Sequence, residues 1–111
     1  MSELENLMAE LVDKLHATKE YNHYRNLLKR VKEQPELYGR IGEFRRRGIS
    51  LRLWENTIQA NNELQKEFGD LQSNGLANDF LVAERQYCRM VRELQEKFLE
   101  GADIETEFLD G

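Results

Sequence analysis

Two histidines are the first residues whose type and spacing could support chemistry. His16 and His23 are seven positions apart, so a helix would place them on roughly one face with Glu20 between them. Zinc sites use more closely spaced ligands or add a convergent third ligand, and this segment supplies neither. We therefore expect a structural or solvated role for both imidazoles and no bound metal.

The single cysteine is the second chemical candidate. Cys88 has no second cysteine to pair with, although the nearby Arg85, Arg89 and Arg92 would favour reactivity of an exposed thiol. Free cysteines are mostly interior, which favours burial of Cys88 as a small apolar side chain. The sequence contains no phosphate-binding loop, nucleophile elbow or HExxH motif, so it predicts no catalytic residue and no cofactor.

The strongest charge feature is a group of five arginines, which we call the arginine collar: Arg40, Arg45, Arg46, Arg47 and Arg52. Successive helical residues point about 100° apart, so these side chains surround Phe44 and do not form one stripe. The collar is either a solvated face whose heads pair with glutamates, or a docking surface for an acidic partner or RNA. Trp54 favours docking because tryptophan and arginine are frequent interface hot spots, while packing of this indole in the core is equally compatible.

Composition indicates that one helical domain positions these residues. The chain has 111 residues with one proline, 40% hydrophobic and 33% charged, which fits a helical fold better than a β-sandwich or barrel. A formal net charge of −5 argues against a nucleic-acid platform covering the whole surface. No membrane span or secretory signal is visible. Together with the single cysteine, these features predict a reduced, cytoplasmic setting without membrane association.

Two amphipathic helices are predicted ahead of the collar. Ser2 and Glu5 have the spacing of a capping box at the start of the first. Thr18 is a second start signal, although the segment around it could equally continue as helix. The second helix must end before Pro35. The apolar face of the first helix consists of Leu4, Leu7, Met8, Leu11 and Leu15.

The segment Gln34–Ser73 predicts one long central helix. Pro35 suits its first turn, and apolar residues recur at largely three- and four-residue spacing as far as Leu71. A helix of about 39 residues would be about 58 Å long at about 1.5 Å per residue. A compact domain of this size has a radius of gyration of only about 13 Å. Such a helix needs cover from outside the chain, so we expect a homodimer.

The turn at Asn74-Gly75 ends this helix and starts another, whose apolar face runs from Leu76 to Phe98 and which stops at Gly101. The short turn makes the two helices antiparallel neighbours. The predicted fold is therefore all-α, a dimeric helical hairpin or bundle with one long central helix. We expect residues 1–101 to form a single helical domain and residues 102–111 an acidic C-terminal tail that could dock by Ile104, Phe108 and Leu109.

We predict that the partner surface and dimer interface lie in the front half of the central helix, where glycines, an aromatic residue and the collar coincide. The candidate residues are Leu37, Arg40, Ile41, Phe44, Arg45, Arg46, Arg47, Leu51 and Trp54.

A family resemblance rests on three segments: Tyr24-x-x-Leu27-Leu28-x-x-Val31-Lys32-x-x-Pro35-Glu36-Leu37-Tyr38, then Ile41-x-x-Phe44-Arg45-Arg46, and, after Asn74, Phe80-Leu81-Val82-Ala83-Glu84. On these residues the sequence resembles the YlbF/YmcA family of small helical bacterial proteins, over roughly Leu4 to Leu99. The resemblance implies an all-α, dimer-forming protein of the bacterial cytoplasm.

Named members of that family regulate competence, sporulation and biofilm formation, and act in a complex that adjusts RNase Y-dependent mRNA processing. Some members carry C-terminal cysteines tied to iron–sulfur clusters, but this sequence has only Cys88 in that region and lacks the several thiolates a cluster needs. The leading hypothesis is a non-enzymatic regulatory adaptor that acts through protein–protein interaction as a homodimer. The alternative is an RNA-binding regulator that uses the arginine collar.

Overall fold

A computed structural model describes residues 2–105, and this part of the chain is all-helical, without a strand. The predicted all-α class is confirmed. Phe108 and Leu109 of the predicted acidic tail lie outside the described residues. The helices are α1 (Glu3–His16), α2 (Lys19–Lys32), α3 (Pro35–Trp54), α4 (Ile58–Glu67), α5 (Gly69–Ser73) and α6 (Gly75–Ala102).

Side-chain caps explain where four of these helices begin. An oxygen of the capping side chain accepts a hydrogen bond from the backbone N–H three residues later, which satisfies one of the free donors at a helix start. The break at Thr18, which the sequence left open, is therefore present, and Pro35 opens α3 as predicted. The capping residues are Ser2, Thr18, Thr57 and Asn74.

The predicted long central helix is wrong. Helix α3 ends at Trp54, residues 55–57 are not helical, and the chain bends again at Phe68 before the short α5. The physical reason is Thr57, whose hydroxyl caps α4 by accepting from the N–H of Ala60 at 3.0 Å. The longest helix in the described range is α6 with 28 residues. The dimer argument based on helix length no longer applies.

The core forms where α2 packs along the first half of α6. Tyr21 meets Tyr87 at a ring-centroid distance of 5.4 Å, and Tyr24 meets Phe80 at 5.9 Å, so the two helices run in opposite directions. This pairing differs from the predicted hairpin, in which α6 lies against the central helix. The buried residues that pack together in this core are Leu27, Leu28, Val31, Ile41, Leu64, Phe68, Leu71, Ala77, Phe80 and Ala83.

The core occupies only the centre of an extended molecule. Helix α1 has no buried residue, and α6 has none after Ala83. The radius of gyration is 17.9 Å, compared with the roughly 13 Å expected of a compact chain of this length. Two amphipathic arms, α1 and the second half of α6, therefore extend from the core.

Candidate protein-docking site

The side chains with chemical potential do not converge on one place. His16 stacks on Tyr21 with ring centroids 4.2 Å apart, which gives this imidazole a packing role at the α1–α2 turn. Among residues 2–105, no three histidine, cysteine, aspartate or glutamate side chains are grouped as they would be to hold a metal ion. No helix in that range combines the length and apolar character needed to cross a bilayer.

Cys88 is exposed, so its predicted burial is wrong. The preceding residue, Tyr87, turns towards α2 and stacks on Tyr24 at a centroid distance of 5.4 Å. Successive helical residues point about 100° apart, so Cys88 faces away from that contact. It lines a groove of about 500 Å³ that is bordered by α3, α4, α5 and α6 and includes Phe44 and Leu64.

Arg40, a predicted docking residue, is bound within its own chain. Its Nε and Nη2 donate to the two carboxylate oxygens of Asp70, both at 3.2 Å, and Nη2 also donates to the carbonyl of Glu67 at 2.9 Å. Its guanidinium carbon lies 4.0 Å from the centroid of the Phe68 ring. The hydrogen bond from Arg40 holds the pKa of Asp70 below its ordinary value. Arg40 therefore joins α3 to the α4–α5 junction.

Two further collar arginines are also paired inside the chain. Arg45 forms an ion pair with Glu84 of α6. Arg47 forms one with Glu67 of α4, and its guanidinium carbon lies 5.5 Å from the Phe68 ring centroid. Their charge is largely compensated by neighbouring carboxylates. Three of the five collar arginines are thus paired with carboxylates of their own chain, as expected if the collar is a solvated face.

The predicted apolar docking residues face inwards. Ile41 is 1% exposed, because α3 turns this side towards the core, and it does not reach a partner in the folded chain. Leu37, Phe44 and Leu51 are partly buried against the same core. Phe44 meets Phe68 edge to face at a centroid distance of 5.3 Å. Leu37, Ile41, Phe44 and Leu51 therefore hold α3 against the core and are not available to a partner.

Of the residues predicted to form the partner surface, Trp54 and Arg46 remain accessible to a partner. Arg46 is exposed and makes no ion pair with a carboxylate of the described chain. Its guanidinium folds back along α3, with Nη1 3.2 Å from the position a β-carbon on Gly42 would occupy. Trp54 is 84% exposed, so its indole is not part of the core.

Three more exposed apolar side chains lie within five residues of Trp54 along the chain, and sequence reasoning did not assign them to a site. Ile49 and Leu53 lie four residues apart on one face of α3, and Ile58 begins α4 just after the break. Leu53 is 70% exposed and Ile58 is 83% exposed. The cap at Thr57 was the signal that could have revealed them, since it removes Ile58 from a continuous helical stripe. We define the Trp54 patch as Ile49, Leu53, Trp54 and Ile58, with Arg46 and Arg52 beside it.

Comparison with known proteins gives one match. A family model described as control of competence regulator ComK, YlbF/YmcA, matches residues 4–101, which include nearly the whole of the six helices. No curated protein and no solved structure gives a significant match.

Proposed function

This chain belongs to the YlbF/YmcA family of competence-control proteins, as its sequence predicted, and we propose that it is a non-enzymatic regulatory adaptor. In this proposal it acts in the bacterial cytoplasm as a homodimer and binds a protein partner through the Trp54 patch. The regulatory family supports the class of function. The relatives linked to RNase Y-dependent mRNA processing suggest that the partner belongs to a complex of that kind.

The main observation in support of the proposed docking site is the exposure of Trp54. An indole buries about 150–250 Å², so covering it would contribute on the order of 4 kcal/mol at about 25 cal/mol per Å², before the cost of association. Leu53 and Ile58, close to Trp54 along the chain, are also largely exposed. A cluster of exposed apolar residues with tryptophan at its centre is typical of protein–protein interfaces.

The arginines beside the patch indicate the chemistry of the partner. Arg46 and Arg52 make no ion pair within the described chain, and Arg52 donates a 3.3 Å hydrogen bond from Nε to the carbonyl of Gly48 in its own helix. Both guanidinium groups can therefore donate to carboxylates on an incoming surface. We expect an apolar partner segment flanked by aspartate or glutamate.

RNA binding is the second candidate, and the geometry favours it less. Arg40, Arg45 and Arg47 are engaged with carboxylates, which leaves Arg46 and Arg52 for phosphates. The net charge of −5 also opposes a polyanion. Salt-dependent RNA binding that Arg46→Glu abolishes would favour this candidate over the adaptor.

The adaptor proposal is tested by affinity capture from the native host with wild-type protein, Trp54→Ala and Leu53→Glu. Tyr38→Ala is the matched control, because Tyr38 is another exposed aromatic residue of α3. We expect the wild type and the control to retain the same specific protein and both patch variants to lose it, with helical circular dichroism unchanged. Equal retention by all four proteins, or no specific retention by the wild type, would contradict the proposal.

A further inference from the structure

The groove between α3 and α6 has two long walls, each formed by one face of a helix. On α6 the lining residues are spaced three and four apart, from Asn78 through Leu81 and Arg85 to Cys88. On α3 the wall extends over residues 45–52. At about 1.5 Å per residue the walls are about 15 Å and about 11 Å long, or two to three helical turns. We call this site the α3–α6 groove.

The floor of the α3–α6 groove is apolar. Leu64, Phe68 and Leu71 line it, and none of the three is more than 6% exposed. Gly48 of α3 faces the same floor, because a β-carbon on this glycine would lie 3.9 Å from Cδ2 of Leu64. The α3 wall has no side chain at this point, which leaves depth for an apolar side chain from outside.

The rim of the α3–α6 groove is positively charged, in a chain whose net charge is −5. Arg45, Arg52 and Arg85 line the groove together with one carboxylate, that of Glu84. Arg45 pairs with Glu84, whereas Arg52 and Arg85 make no ion pair within the described chain. These two guanidinium groups stand on different walls. They can therefore donate to carboxylates on both sides of an incoming apolar surface.

We propose that the α3–α6 groove holds an amphipathic helix of the protein partner. Apolar residues at positions i, i+3 or i+4, and i+7 of that helix face the floor, and flanking aspartates or glutamates meet Arg52 and Arg85. This inference rests on the proposed function, because Ile49 and Arg52 belong to the Trp54 patch and also line the groove. The partner surface thus continues from the patch into the groove.

The shape and charge of the groove favour a helix over other ligands. Small-molecule sites enclose most of the ligand surface, but Ile49, Arg85 and Cys88 on the walls are exposed, so the groove is open along its length. An RNA needs several phosphate contacts, and an apolar floor offers it none. Residues 2–105 contain no strand whose edge could accept an extended peptide.

Photocrosslinking in the native host identifies the occupant. The full chain carries p-benzoylphenylalanine at Gln65 or at Asn78, two exposed residues that line the groove, or at the exposed Gln86 of α6 outside it as the control. We expect several-fold more crosslinking at the two groove positions than at the control. Mass spectrometry should map the crosslink to a helical segment of another protein with the apolar spacing and acidic residues given above.

Every other crosslinking result overturns the inference. These results are crosslinks to RNA, to a second copy of this chain or to its own residues 103–111, crosslinks to a protein segment without that pattern, and crosslinking no stronger than at Gln86.

A synthetic peptide with the sequence of the crosslinked segment tests the groove with the purified full chain. Cys88 is the only cysteine, so the rate at which a maleimide modifies it reports on occupancy of the groove. Saturating peptide should slow this modification several-fold. Gly48→Leu fills the floor and Arg85→Glu reverses a rim charge, so each should weaken binding of fluorescent peptide, measured by anisotropy, by about tenfold or more.

Two matched variants control for these changes. Gly39→Leu makes the same substitution in α3 where a β-carbon would meet nothing within 4 Å, and Arg30→Glu makes the same charge change on α2 outside the groove. Both should bind the peptide as the wild type does. Leucine is a better helix former than glycine, so Gly48→Leu should keep its helical circular dichroism. Wild-type affinity in either groove variant, or no protection of Cys88, would overturn the inference.

Affinity capture separates this inference from the proposed function. If Trp54→Ala loses the captured protein and Gly48→Leu retains it, the groove is overturned and the Trp54 patch stands. If Gly48→Leu loses the protein and Trp54→Ala retains it, the groove stands and the patch is overturned. Retention by both variants overturns both.

Discussion

The guanidinium carbon of Arg40 lies 4.0 Å from the centroid of the Phe68 ring. Arg47 approaches the same ring at 5.5 Å, so two collar arginines flank a core phenylalanine that is 1% exposed. A guanidinium over an aromatic face is attracted by the ring quadrupole while its alkyl stem covers apolar surface. Part of the arginine collar therefore closes the core, and the surface available to a partner shifts towards Trp54.

Replacing Phe68 should cause a large loss of stability. Phe68→Ala leaves a cavity beneath Arg40 and Arg47, and such changes cost about 3–5 kcal/mol. Thermal unfolding followed by circular dichroism should show a midpoint lower by more than about 10 °C. Tyr38→Ala, which removes an exposed ring, should change the midpoint far less. Similar midpoints for the two variants would show that Phe68 is not a core residue.

Removing the Arg40 guanidinium should change the titration of Asp70. The hydrogen bond from Arg40 lowers the pKa of Asp70, so the folded chain binds this proton less readily than the unfolded chain. Its stabilising contribution is complete above the ordinary aspartate pKa and is lost as the pH falls through the lower folded value. In Arg40→Gln the pKa of Asp70 should rise to its ordinary range, as measured by NMR of the carboxyl carbon. An unchanged pKa would contradict the contact.

The helix break after Trp54 should depend on one cap. Thr57→Ala removes the oxygen that accepts from the N–H of Ala60, and losing such a cap costs typically about 1 kcal/mol. Urea denaturation should show a lower midpoint with an unchanged slope. Ser50→Ala, within α3, serves as the control and should be near neutral. A neutral Thr57→Ala would mean that another feature ends the helix.

The sequence predicted the elements that depend on local chemistry. The cap at Ser2, the start signal at Thr18, the turn at Asn74-Gly75 and Pro35 at the start of α3 each depend on a few neighbouring residues, and each marks a helix boundary in the structure. The break at residues 55–57 was missed because the apolar spacing continues across it. The single cap at Thr57 was outweighed by a periodic apolar pattern that extends over the whole segment Gln34–Ser73.

The composition of the site could not be predicted in the same way. Whether an arginine is free depends on carboxylates far along the chain: Arg45 pairs with Glu84, and Arg47 with Glu67. Helical spacing places a side chain on a face but does not show which element covers that face. The exposure of Cys88 followed from the packing of α2 on α6, which the sequence did not reveal.

The docking of a partner on the Trp54 patch is tested most directly by ¹⁹F NMR. Trp54 is the only tryptophan, so growth with 5-fluorotryptophan labels this one position. We predict a resonance with the solvent isotope shift of an exposed indole. Adding the captured partner should shift the resonance and remove its solvent isotope shift. A resonance that keeps its position and its solvent isotope shift at saturating partner would contradict the account.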